Sequence, residues 1–333
     1  MSDLWKYCTA EQCREFLLSL ELVGDSGWPD DKKLACLYAV SNHVEKHYHT
    51  AVIKKRSGNE RRLLVPDPLL KGIQQKILHN VLEDYAVSRY ATAYHKGAKL
   101  KDNAAPHVGK EKILKLDIEN FFENILFKQV LQSSFPKKYF PPAVGTMLAY
   151  LCCYYDYLPQ GAPTSPAISN LVMKPFDESM GAWCEERGIS YSRYCDDLTF
   201  SGDFDAEMVK RKAGAFLGEM GFQLNRKKTR VISRGQQQNV TGVVVNCKPQ
   251  VSKEYRRKLR QEIYFCRKYG IRGHLERIGD RKYLDLGEAG IERYRLRLIG
   301  KVNYVLQVNQ DDRDFIGCLG DLTSGVKGFS KKP

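Results

Sequence analysis

The sequence predicts an α+β fold, a small antiparallel sheet backed by helices, and three observations predict it. Ser192-Arg193-Tyr194-Cys195-Asp196-Asp197-Leu198-Thr199-Phe200-Ser201 alternates apolar and polar residues between the turn signals Gly188 and Gly202-Asp203. That pattern is a hairpin with two adjacent acids at its tip. Lys112-Ile113-Leu114-Lys115-Leu116 is a second alternating run and ends on Asp117. Between and after these runs, apolar residues recur at helical spacing in 11–22, 70–82, 167–186, 205–220 and from Ser252 onward.

Taken in order, the chain begins with helical text. Glu11 to Leu22 is amphipathic, and Asp30 or Asp31 is expected to cap a second helix reaching Val44. From Val52 the text turns basic, with Lys54-Lys55-Arg56-Ser57-Gly58-Asn59-Glu60-Arg61-Arg62 before Leu63-Leu64-Val65-Pro66. Two strands around a glycine turn would suit a triphosphate, and a solvated basic hairpin fits the same residues. Asn103-Ala104-Ala105-Pro106-His107 reads as a loop. Ala143 to Leu158 is apolar but broken by Gly145, Thr146 and Asp156, which predicts a buried helix and no membrane span.

Leu158-Pro159-Gln160-Gly161-Ala162-Pro163-Thr164-Ser165-Pro166 is a loop of small residues, and Pro166 in a first helical turn opens the helix Ala167 to Glu186. Asp205 to Met220 places Ala206, Val209, Ala213, Phe216 and Leu217 inward. After Gly221 to Thr229, Val240-Thr241-Gly242-Val243-Val244-Val245-Asn246 reads as one β-branched strand. A helix from Ser252 to Gly270 carries Tyr255, Leu259, Ile263 and Cys266 as its apolar stripe, with Arg256, Arg257, Arg260, Arg267 and Lys268 on the remaining surface.

Composition narrows the partner. Lys plus Arg number 53 against 39 acidic residues, a net charge of +14, which favours a polyanion, nucleic acid or an anionic membrane, and charge alone does not choose between them. The first residues have neither a basic n-region nor an apolar h-region, so the expected location is the cytosol, with no membrane partner. Ten scattered cysteines without matched C-x-x-C pairs predict reduced core residues.

The chemistry follows from the acids. Adjacent carboxylates repel and are costly to half-bury without a cation, so Asp196 and Asp197 call for a metal held by oxygen ligands, and Asp117 is the candidate third carboxylate. A strand ending in Asp together with an Asp-Asp hairpin suits two-metal phosphoryl transfer.

Tyr194-x-Asp196-Asp197, with Asp117 followed by Phe121 and Phe122, resembles the palm of reverse transcriptases. The 158–166 block resembles their Q-G-x-P-x-S-P motif, and Gly58, Arg61, Leu63 and Pro66 followed by Gln74-Gln75 look like the fingers of the bacterial enzymes. Asn103-x-x-x-His107, Val240-Thr241-Gly242 and the weaker Gly300 to Val305 stretch are similar to retron elements. The likeness runs from about Lys54 to Tyr304 and implies a right-hand polymerase. Its parts would be an N-terminal helical extension (1–45), fingers (46–108), a palm with a ferredoxin-like sheet (109–250, with a finger-side insertion at about 126–158) and a helical, RNA-binding thumb (251–333).

The resemblance further implies two Mg²⁺ ions, with Mn²⁺ as substitute, on Asp117, the Ile118 carbonyl and Asp196, with Asp197 as a further ligand or an electrostatic support. It makes Lys55, Arg61, Phe122, Gln160, Gly161 and Lys228 dNTP contacts, Phe122 excluding a 2′-hydroxyl and Lys228 approaching the pyrophosphate. Asn103, His107, Val240, Thr241, Gly242, Arg256, Arg257 and Arg260 become RNA or primer contacts. The implied activity is RNA-directed DNA synthesis on the chain's own non-coding RNA, primed from an RNA 2′-hydroxyl, giving branched RNA-linked single-stranded DNA. The implied partners are that RNA, its DNA product, dNTPs and an effector protein encoded nearby, acting against phage. Another reverse transcriptase branch with ordinary priming, or an RNA-binding scaffold of a defence complex, are the alternatives.

Overall fold

The computed structural model describes residues 5, 7–24, 26–54, 58 and 60–324. Helix α1 (Ala10–Ser19) opens on a capping box of Thr9 and Gln12, and α2 (Asp30–Asn42) follows. Strands β1 (Tyr48–Lys54) and β2 (Glu60–Pro66) pair antiparallel, and α3 (Pro68–Ile77) starts on Asp67, whose carboxylate accepts the Leu70 N–H at 2.9 Å. Then come α4 (Leu100–Ala104), β3 (Lys112–Asp117), α5 (Phe127–Ser134), α6 (Pro142–Cys152) and α7 (Ser165–Glu185). The hairpin β4 (Ser190–Tyr194) and β5 (Asp197–Gly202) leads to α8 (Ala206–Glu219), capped by Asp205, and to β6 (Arg230–Ser233). The described residues end with short strands β7 (Asn239–Val240), β8 (Val243–Val244) and β9 (Gln250–Val251), and helices α9 (Lys253–Ile278), α10 (Arg281–Leu284), α11 (Gly287–Val308) and α12 (Arg313–Thr323).

The chain divides into two compact units. The first takes the described residues of Met1–Ala98, Leu114–Phe200 and Phe204–Val231. Most of a four-stranded sheet of order β4-β5-β3-β6 belongs to it, with the two strands that carry acids, β5 and β3, in the middle. Leu114 and Leu116 of β3, Leu198 and Phe200 of β5, Phe176 and Met180 of α7, and Val209 and Leu217 of α8 form its core. Burying such residues stabilises the unit by about 1.5–3 kcal/mol each.

The second unit takes the described residues of Lys99–Ile113, Ser201–Asp203 and Ile232–Pro333. Its antiparallel sheet of order β7-β8-β9 and helices α9 to α12 share a core of Val240, Val243, Leu259, Ile263, Leu298, Val302 and Phe315.

Several local expectations need correction. Helix α2 has Pro29 at its N-cap, so Asp30 and Asp31 lie in the first turn, where their charge faces the positive helix end. The stretch 103–107 is helical: α4 runs into a 3-10 turn, Ala105–His107, because Pro106 is tolerated in a first turn. The expected strand 240–246 is folded back on itself, since Thr241 and Gly242 take positive φ (45° and 87°) and turn β7 into β8. Helix α6 stops at Cys152, and α9 continues through a non-helical Gly270 to Ile278. All ten cysteines are free, six of them buried, while Cys247 is exposed. Among the described residues, no helix is long and apolar enough to cross a membrane.

Candidate active site

Asp117 ends β3 in the middle of the sheet, beside its neighbour β5, and beyond that pairing the Ile118 N–H donates to the Asp196 carbonyl at 3.0 Å. The Asn225 N–H donates to the Asp117 carbonyl at 2.8 Å, which brings the loop holding Lys228 alongside. Lys228 Nζ then donates to both Asp117 carboxylate oxygens, at 2.8 and 2.7 Å.

The hairpin presents its acids through a tight turn. Cys195 occupies the first turn position with φ of 61°, a region in which glycine is the usual residue. Burial pushes the Asp117 carboxyl above its ordinary value, the Asp196 charge adds to this, and the Lys228 ammonium pulls against it. Burial likewise raises Asp197, reinforced by Asp196 and Asp117. Three mutually repelling, partly desolvated carboxylates and one ammonium constitute a site short of positive charge.

These donors are all hard oxygen ligands, the kind that suits a divalent cation of the Mg²⁺ class. Among the described residues, however, no three His, Cys, Asp or Glu side chains already form a metal cage, and Asp117 is engaged by Lys228. The donor set therefore fits in kind, and an ammonium supplies part of the charge.

Around the acids, Phe121 is buried against Phe222, and Phe122 lies edge-on to Phe121 at 5.3 Å while remaining half-buried. In the 158–166 loop, the Leu64 N–H of β2 donates to the Gln160 carbonyl at 2.9 Å. A Cβ on Gly161 (φ 134°) would stand 2.5 Å from the Leu64 carbonyl oxygen, so glycine is required there by the close approach of two backbones. Arg61 is exposed on β2, opposite Ile53, and Lys55 lies outside the described residues.

The remaining candidates belong to the second unit. Asn103 Nδ2 donates to Thr241 Oγ1 at 3.1 Å, and His107 Nδ1 is 2.7 Å from Ser201 Oγ. Asn103, His107 and Val240 are buried, so these residues join α4 and its 3-10 turn to the β7–β8 turn and the end of β5. Arg256 bonds the Val251 carbonyl and Gln250 and pairs with Asp312, and Arg260 pairs with Asp314 over the Phe315 ring, whereas Arg257 is exposed.

Sequence reasoning passed over Arg193. It is fully buried, and the signal for it was a cation in the middle of an otherwise core-facing strand, which demands a buried acid elsewhere.

A strand-end aspartate joined to an Asp-Asp hairpin in the centre of a sheet backed by helices defines a polymerase palm. Residues 53–253 match the family described as reverse transcriptase (RNA-dependent DNA polymerase). The retron Mx65 reverse transcriptase of Myxococcus xanthus is 37% identical over 239 residues, covering 66% of this chain and 56% of that protein. The retron Ec86 reverse transcriptase of Escherichia coli is 31% identical over 228 residues (66% and 71%), and the retron Ec83 enzyme of the same species 32% over 235 (66% and 75%). The match thus spans little more than half the length of the Mx65 relative. A solved telomerase from Candida albicans, at 11% identity and a TM-score of 0.46 over 85% of this chain and 64% of that one, is too distant to carry an argument. The chain belongs to the reverse transcriptase family and, within it, to the retron type; its fold is the right-hand polymerase fold.

Proposed function

We propose that the chain is the RNA-directed DNA polymerase of a retron. It copies part of its own structured non-coding RNA into single-stranded DNA that stays joined to the RNA through a priming 2′-hydroxyl, and it works with an effector protein encoded nearby in anti-phage defence. The observation that carries the polymerase reading is the Ile118 to Asp196 main-chain bond, which holds Asp117 beside the Asp196-Asp197 turn. The retron relatives support the choice of template and product.

Asp117, Asp196, Asp197 and the Ile118 carbonyl would hold two Mg²⁺ ions, or Mn²⁺ in their place. When bound, such ions lower the pKa of the attacking hydroxyl and neutralise the leaving pyrophosphate. Lys228, now paired with Asp117, exchanges that partner for a phosphate oxygen and steadies the leaving group, a role that its half-exposed ammonium supports. Phe122 covers the sugar and disfavours a 2′-hydroxyl. Gln160, Gly161, Arg61 and Lys55 receive the nucleotide. Thr241 and Gly242 make the primer-side contact from a turn that the buried Asn103, His107 and Val240 hold in place, and Arg256, Arg257 and Arg260 of the thumb contact RNA phosphates, which gives affinity and little sequence information. In domain terms, 46–108 are fingers, 109–250 palm with a finger-side insertion at about 126–158, and 251–333 thumb, with 1–45 as an N-terminal helical extension.

The test is to express the gene with its flanking DNA, extract nucleic acid, and size it after RNase and debranching treatment. A single-stranded DNA whose mobility shifts on debranching, absent from an Asp196→Asn/Asp197→Asn variant, is expected. Unbranched DNA alone would overturn the priming mode and point to another reverse transcriptase branch.

A further inference from the structure

We infer that Arg193 is a positioning residue: its buried guanidinium fixes the strained turn that presents Asp196, and thereby makes the catalytic turn and helix α7 one rigid body. This inference rests on the polymerase reading above for its functional consequence.

The guanidinium donates in three directions. Nε and Nη2 bond the Asp177 carboxylate of α7 at 2.8 and 2.6 Å, Nη2 also reaches Asn170 Oδ1 of the same helix at 3.2 Å, and Nη1 donates to the Cys195 carbonyl at 3.1 Å. Tyr191 donates its hydroxyl to Asp177 Oδ1 at 2.8 Å, and both members of the Arg193–Asp177 pair are fully buried. The main chain of Arg193 is held as well, its N–H donating to the Tyr90 carbonyl at 2.7 Å and its carbonyl accepting from the Thr92 N–H at 2.9 Å. Asn170 closes the ring of contacts by donating to the Ala93 carbonyl at 2.7 Å.

Stability alone is a poor reason for such a pair, because desolvating two charges costs about as much as their attraction returns. What the arrangement does supply is direction. Cys195 has a positive φ that a non-glycine residue keeps only when its surroundings over-determine it, and the Arg193 bond falls on that residue's own carbonyl. Asp196 is next in the chain. Helix α7 begins at Ser165, at the end of the 158–166 loop, so the same guanidinium ties the element that follows the nucleotide loop to the element that carries the acids.

The experiment compares Arg193→Lys with Tyr191→Phe in the full chain. The lysine keeps a charge for Asp177 but gathers its N–H groups on one nitrogen, which cannot stand both on the Asp177 carboxylate, where Nε and Nη2 sit, and under the Cys195 carbonyl, where Nη1 sits; the phenylalanine loses one bond to Asp177 and leaves the turn clasped. Three quantities are measured: the thermal midpoint, the rate at which iodoacetamide labels Cys195 by peptide mapping, and kcat and KM for dNTP in primer extension. Arg193→Lys is expected to label Cys195 at least about tenfold faster than wild type through local opening of the turn, and to lose about tenfold in kcat with KM unchanged. Tyr191→Phe is expected to lower the midpoint without moving either the labelling rate or kcat. Equal labelling and equal kcat in the two variants would overturn the inference. If wild type does not polymerise although Cys195 labelling separates the variants, the positioning role stands and the polymerase reading fails. Should Arg193→Lys not fold, Arg193→Gln/Asp177→Asn, whose shorter amides hold each other but not the carbonyl, is read by the same criteria.

Discussion

Lys228 grips the Asp117 carboxylate at both oxygens, 2.8 and 2.7 Å away, from a side chain that is otherwise more than half exposed. In the proposed function this ammonium leaves its carboxylate for an incoming triphosphate. Removing it by Lys228→Ala is expected to slow nucleotide addition by roughly 10²-fold, the size typical for losing one electrostatic contact to a developing anion. Lys228→Arg is expected to keep most of the rate. Single-turnover extension measures both, and an unchanged rate in the alanine variant would remove Lys228 from the chemistry.

Phe122 is the half-buried member of an aromatic pair whose other ring, Phe121, is core. If its ring excludes the 2′-hydroxyl, Phe122→Ala should raise the ratio of rNTP to dNTP kcat/KM by at least about tenfold. Phe121→Ala should cost stability by about 3–5 kcal/mol, without that change in selectivity. Competing incorporation assays and urea unfolding separate the two outcomes.

The fold and the acids were legible because they rest on local signals. Asp196-Asp197 between alternating apolar residues is a hairpin, 205–220 with its inward apolar stripe is a helix, and Pro166 after small residues is a helix start. What the sequence hid depends on contacts far along the chain. Arg256 and Arg260 read as free surface cations, yet Asp312 and Asp314 engage them from the start of α12. His107 read as a loop residue, yet it is buried on Ser201, 94 positions away. Arg193 showed as a cation in a core-facing strand, but the acid that answers it, Asp177 on the preceding helix 16 positions away, is identified only by the packing of α7 on β4.

Gly161 offers a prediction that a nucleotide contact alone would not make. A methyl group there meets the Leu64 carbonyl and requires an L-residue at φ of 134°. Gly161→Ala is therefore expected to destabilise the protein by more than about 1 kcal/mol as well as to raise KM for dNTP. Denaturant unfolding and steady-state kinetics check this, and a variant as stable as wild type would refute the close-approach explanation.

His107 predicts an acid limb of stability. Burial, with a smaller push from Lys110, holds its imidazole down to about 3, against an ordinary value of 6.5. The folded state thus keeps it neutral while the unfolded chain binds a proton below 6.5. Its stabilising share is complete above that pH and is lost as pH falls toward 3, at a limiting slope of about 1.4 kcal/mol per pH unit. His107→Gln is expected to lack this slope between pH 6 and 4 in urea titrations, with other acid-sensitive groups contributing equally to both proteins.

The most direct test of the central claim is extension of a labelled DNA primer on an RNA template by the purified chain, with Mg²⁺ or Mn²⁺, beside Asp196→Asn. Wild type is expected to extend the primer processively and the variant not at all, with RNA binding and thermal midpoint preserved. Extension that survives the substitution, or wild type that binds RNA yet adds no nucleotide with either metal, would contradict that claim.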